Sequence, residues 1–205
     1  MRQCLAFFLL SLTLAVGASA SADDSAGVRE RLSAAPVLRG SFEQSKQLQG
    51  FRNPLRSRGE FLIARERGVV WDTREPFASR TVLTRQKLLT RLPDGSSRVL
   101  LDASASPAMS AVNSLLLALV AGDLQALSQQ FESSETLLAD GAWRLQLTPR
   151  EPGLARVIAS IELSGDRHVR AIHISERAGD STQIRFSDLR EEPAALSPDE
   201  AGRFE

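Results

Sequence analysis

The 205-residue chain has no tyrosine, only two histidines and a single cysteine. Each scarcity removes a class of chemistry. The cysteine, Cys4, lies in the N-terminal apolar run. A chain trimmed after that run has no disulfide, no thiol nucleophile and no thiolate metal ligand. His168 and His173 stand five residues apart on or beside one strand. Strand alternation turns such a pair to opposite faces, which is poor geometry for a shared metal. A Gly-x-Ser-x-Gly elbow, a His-Glu-x-x-His pair and a phosphate-cradling glycine loop are all missing. Acidic residues are plentiful but scattered over turns. The residues therefore point to a binding protein with no catalytic, metal or cofactor site. Lys and Arg balance Asp and Glu at 25 each, so nucleic acid is a poor partner.

No long hydrophobic span exists either. The longest N-terminal run, residues 5–16, is shorter than the roughly 20 apolar residues that cross a bilayer. With Arg2 before it and Ala18-Ser19-Ala20 or Ala20-Ser21-Ala22 after it, the run reads as an export signal cleaved near Ala20 or Ala22. No cysteine follows to accept a lipid. The expected organisation is a signal peptide over residues 1–22 and one domain over residues 23–205, in a bacterial periplasm.

What remains is a chain of short alternating segments around one helical interruption. In residues 109–127, Val112, Leu115, Leu116, Leu119, Val120 and Leu127 recur at three- and four-residue spacing, one apolar helical face. Ser106-Pro107 starts this stretch, and Gly122-Asp123 breaks it before a second helix over 124–131. A short amphipathic helix over 28–35 precedes it, stopped by Pro36. Strands are expected at 38–48, 55–64, 69–73, 80–84, 87–92 and 98–102 before the helices. After them come 132–138, 142–148, 157–163, 169–177 and 182–189. Gly68, Pro93-Asp94-Gly95, Gly165-Asp166 and Gly179-Asp180 mark turns between them. Ten or eleven such strands predict one large curled antiparallel sheet or an open β-barrel.

The aromatics lie mostly on strands. A single-layer sheet has one buried face, and residues 109–127 are the available cover. That cover makes either an ordinary core or an apolar pocket with a lid. The pocket reading names Phe42, Phe61, Ile63, Trp71, Val112, Leu115, Leu116, Leu119, Trp143 and Leu145 as lining residues. Charge is uneven along the chain. Residues 28–100 hold 15 Lys/Arg against 7 Asp/Glu, and residues 101–205 hold 9 against 16. Thirteen of the 15 are arginine, which suits carboxylate or phosphate contacts. One reading is a basic half, with Arg56 and Arg58 on it, meeting the acidic rim of a partner. The other is two solvated faces.

Ser41-Phe42-Glu43-Gln44, then Gly59-Glu60-Phe61-Leu62-Ile63-Ala64-Arg65, then Trp71, resembles the N-terminal half of the periplasmic outer-membrane lipoprotein carriers of the LolA type. Leu147-Thr148-Pro149 after the Trp143 strand and the final Phe204 extend the likeness over nearly the whole chain beyond the signal. The resemblance implies an incomplete, open antiparallel β-barrel covered by a short helical lid, and a monomeric periplasmic carrier that shields the acyl chains of lipoproteins. An inner-membrane ABC-type complex would be the donor and an outer-membrane receptor the acceptor. It also implies that Arg65 latches the lid through backbone carbonyls. Glu66 replaces a proline common in the family, and Val69 an aromatic. These departures mark a divergent branch, for which another lipid or an acyl or polyene ester, moved with an inner-membrane exporter, is an alternative cargo. A lipid-acting enzyme is the remaining alternative.

Overall fold

Period-two alternation draws about half of the described residues into eleven strands, every adjacent pair antiparallel. The structure is a computed structural model describing residues 27–102, 117–118 and 123–205. The strands are β1 (Val37–Gln47), β2 (Leu55–Ala64), β3 (Gly68–Glu75), β4 (Ser79–Leu83), β5 (Lys87–Arg91) and β6 (Ser97–Asp102). Past the helical interruption they continue as β7 (Phe131–Leu137), β8 (Trp143–Pro149), β9 (Ile158–Gly165), β10 (Val169–Glu176) and β11 (Ser181–Arg190). Short helices α1 (Val28–Arg31), α2 (Leu124–Gln130), α3 (Pro152–Ala155) and α4 (Pro198–Gly202) accompany them.

The spatial order is β6-β5-β4-β3-β2-β1-β11-β10-β9-β8-β7. First and last strands pair at the centre, and the two strands flanking the interruption become the edges. The sheet is open, an incomplete barrel, and the description of a β-barrel holds only in that sense. Expected strand positions agree to within a residue or two. Helix α2 begins where Gly122-Asp123 predicts, with the Asp123 carboxylate accepting from the Ala126 amide at 3.1 Å. The N-terminal helix is shorter than its expected 28–35. After Arg31 the chain runs extended, where the Ser33 amide donates to the Arg167 carbonyl at 2.8 Å. Most of the 109–127 segment lies outside the described residues. Of its surroundings, Ala118 and Leu127 are buried on the sheet and Leu117, Leu124 and Ala126 pack beside them.

Alternation in β1 to β5 sorts side chains to two faces, and both faces are covered. Phe42, Phe61, Ile63, Val69 and Leu83 join the larger core with the helices, on what we call the inner face. Their neighbours Val37, Leu62, Ala64, Val70, Val82 and Leu89 form a second core on the outer face, closed by Phe204 and Leu196. The expectation of one buried face is therefore corrected for this half of the sheet. The C-terminal segment supplies the missing layer.

Ion pairs fasten that layer. Arg39 donates to both Glu200 oxygens, at 2.6 and 2.8 Å, and to the carbonyls of Pro193 and Ala195. Ser197 and Glu200 form a reciprocal capping box on α4. Buried Asp72 accepts from Arg80 at 2.5 Å and lies 3.7 Å from Arg203. The Arg39 bond holds the Glu200 carboxyl at about 2, well below its usual 4.5. A carboxylate depressed in the fold binds protons more readily when unfolded, so its contribution is complete above pH ~4.5 and is lost toward pH ~2. Thermal unfolding followed from pH 6 to pH 3 should show falling stability, and Glu200→Gln should flatten that dependence. A Glu200→Gln profile parallel to the wild type would remove this role.

Candidate functional site

Two glycines organise the aromatic residues of the inner face. Gly40 pairs with Phe61 across β1 and β2, and Phe42 pairs with Gly59 two positions on. A Cβ on Gly40 would stand 2.8 Å from the Phe61 ring, and one on Gly59 would stand 3.0 Å from the Phe42 ring. Each glycine thus vacates the space its partner's ring occupies. Register then places Trp71 opposite Phe61 and Phe186 opposite Phe42. The four rings meet as one group. Phe42 stacks on Trp71 at 3.8 Å between centroids, and Phe186 stands edge-on to Phe61 at 5.1 Å and to Trp71 at 6.0 Å. Such pairs add roughly 0.5–1.5 kcal/mol each beyond the area they bury.

Ile63 follows Phe61 on the same face. Trp143 and Leu145 lie on β8, buried in the same core but on the other half of the sheet. The Trp143 indole N–H donates to the Asp166 carbonyl at 2.5 Å. The structure thus brings Phe42, Phe61, Ile63 and Trp71 together, with Trp143 and Leu145 further along one continuous apolar surface. Val112, Leu115, Leu116 and Leu119 lie outside the described residues.

An N-terminal strap, residues 27–36, crosses one end of this face. The Glu135 carboxylate on edge strand β7 accepts from the Val28 amide at 3.0 Å, and Arg31 donates to the Ala142 carbonyl at 2.7 Å. From there the strap runs to β2. Arg65 donates through Nε to the Ala35 carbonyl at 2.8 Å and through Nη2 to the Ser33 carbonyl at 2.9 Å. Its own amide donates to the Pro36 carbonyl at 3.0 Å. Within the described residues, then, Arg65 fastens the strap. On the strap's other side the Ser33 hydroxyl donates to Glu191, which also accepts from Arg167 at 2.8 Å and faces His168 Nε2 at 2.9 Å. The Ser33 hydroxyl, then His168 and Arg167, hold the Glu191 carboxyl below the usual carboxylate range.

Beneath the strap lies a cavity of about 40 Å³, lined by Leu32, Leu38, Phe61, Ile63, Val169 and Phe186, with Arg65, Arg167 and His168 at its polar side. It has room for a water or two but not for an acyl chain. Access to the apolar face from this end requires the strap to lift. The strap, Arg167, His168 and Phe186 were not singled out as site residues from sequence. The available signal was the amphipathic pattern at 28–35, whose apolar Val28 and Leu32 indeed pack inward. His168 and His173 face opposite sides, His168 at the cavity and His173 exposed.

The family model for the outer membrane lipoprotein carrier protein LolA matches residues 33–199. An outer-membrane lipoprotein carrier protein from Dechloromonas aromatica (strain RCB) is 27% identical over 160 residues, 77% of this chain and 73% of its own. A LolA superfamily protein from Nitrosomonas europaea superposes with a TM-score of 0.45 at 10% identity, over 84% of this chain and 92% of its own. A DUF1329 family protein from Desulfovibrio piger gives 0.44 at 12% identity, over 80% and 88%.

Proposed function

This chain belongs to the LolA family of outer-membrane lipoprotein carrier proteins, and we propose that it is itself a periplasmic carrier of acylated cargo. The acyl chains would lie on the inner face between the aromatic group and its helical cover. Residues 1–22 would be the export signal. The family is one of carriers, and the role here is binding without covalent catalysis. Donor and acceptor would be an inner-membrane complex and an outer-membrane receptor.

One observation carries the reading: a continuous apolar face on an open sheet, crossed by a strap held at its ends by polar contacts. The arginine that fastens the strap is exposed and bonds only backbone carbonyls, so the strap can be released without unpairing the sheet beneath it. Burial at about 0.8 kcal/mol per methylene makes ten methylenes worth several kcal/mol, enough for micromolar affinity after ordering costs.

A dansyl-labelled fatty acid should therefore bind with micromolar affinity, and Phe61→Ser should weaken it about tenfold or more, since one buried phenyl ring contributes at least that factor. Absence of probe uptake by the folded wild type would overturn the acyl site. Mass spectrometry of what co-purifies from the periplasm separates a lipoprotein from the alternative of another lipid or polyene ester.

A further inference from the structure

Large apolar side chains on the surface are not evenly spread. Phe77 is 83% exposed, Phe51 64% and Leu55 59%. The antiparallel pairing brings all three to the same end of the sheet, opposite the end crossed by the strap. Phe51 lies in the turn joining β1 and β2, with Leu55 where β2 begins opposite Lys46. Phe77 lies in the next turn, between β3 and β4, two residues beyond Glu75, which pairs with Arg58.

The same end is rich in unengaged cations. The guanidinium groups of Arg52 and Arg56 at this end, and of Arg185 midway along β11, are exposed and, among the described residues, make no hydrogen bond or ion pair. Arg56 and Arg185 line a polar hollow of about 630 Å³ on the outer face, where Ser45 and Gln183 add donors. Glu43 and Glu75 share the hollow, and Arg58 occupies Glu75 at 2.6 Å. That leaves two guanidinium groups facing Glu43 alone.

We propose that this end of the sheet docks on an anionic phospholipid surface. Phe51, Leu55 and Phe77 enter the headgroup region, and Arg52, Arg56 and Arg185 meet lipid phosphates. Apolar tips on two neighbouring turns, with Arg52 next to Phe51 and Arg56 next to Leu55, suit a soft interface that each tip enters separately. A protein partner would instead need a contiguous patch with packed anchors. Arginine offers paired donors to phosphate, and an anionic leaflet attracts such a cationic rim. The inference goes beyond the carrier reading and does not depend on it, because docking is measured without cargo.

Vesicle flotation tests it. The vesicles are phosphatidylethanolamine with about a quarter phosphatidylglycerol, against phosphatidylcholine alone. The protein should float with the anionic vesicles, and less as salt rises from about 0.05 to about 0.5 M. Phe51→Ser with Phe77→Ser, and separately Arg56→Gln with Arg185→Gln, should each lower the bound fraction about tenfold, as the loss of two interfacial contacts predicts. Because these residues are exposed, melting temperatures should not change. Every variant keeps the same N-terminus, so differences report the rim alone. Flotation of both double variants like the wild type overturns the proposal. So does equal binding to both lipids, or retention only by membranes that carry a protein partner.

Discussion

Trp143→Ala should destabilise the protein by about 3–5 kcal/mol, the cost of emptying a fully packed aromatic site. The indole is completely buried and packs on Gly165, where a Cβ would stand 2.9 Å from Cζ2. Its loss also strips the Asp166 carbonyl of its donor. For a domain of this size each kcal/mol lowers the melting temperature by roughly 2–4 °C, so a drop near 10 °C is expected by circular dichroism. Trp143→Phe keeps most of the packing and loses the hydrogen bond, costing about 1 kcal/mol beyond the volume change. A melting shift under about 3 °C for Trp143→Ala would mean the site is less tightly packed than its burial implies. Stability and cargo binding come apart here. Trp143 holds the second half of the sheet, whereas Phe61 meets the cavity.

Arg65→Leu should leave the fold intact and change the handling of cargo. The side chain is exposed, and both of its hydrogen bonds go to strap carbonyls across the cavity mouth. Removing them should weaken the closed, empty state by about 1–2 kcal/mol, a five- to thirty-fold change in its population. The closed state competes with cargo. The variant should hold a bound fatty-acid probe longer and pass cargo on more slowly in a reconstituted handover. Thermal stability should move little, since exposed contacts contribute modestly. Identical release and handover rates for variant and wild type would remove Arg65 from the latch role.

Strand positions were legible because alternation is a local property. In β2, Phe61 and Ile63 against Leu62 and Ala64 already mark two sides of a strand. The break at Gly122-Asp123 was legible for a similar reason, since an aspartate before an apolar helix caps it locally. The aromatic group was half legible. Gly40-x-Phe42 and Gly59-x-Phe61 repeat one pattern, but only the register that sets Gly40 against Phe61 turns it into a packed cluster.

The second core could not be read. Leu62, Val70 and Val82 are apolar on the supposedly wet side, yet nothing local says that Phe204 returns to cover them. Nor could the partners of Arg65 be read from spacing, since its carbonyls lie some 30 residues upstream. By itself the sequence determined what each residue does to its immediate neighbours: strand or helix, face or face, cap or turn. Only the tertiary structure decided which faces are covered, which end of the sheet is strapped and which is left with exposed phenylalanines. Those choices depend on the pairing of first and last strands and on contacts between segments far apart in the chain, and no local periodicity encodes such distances.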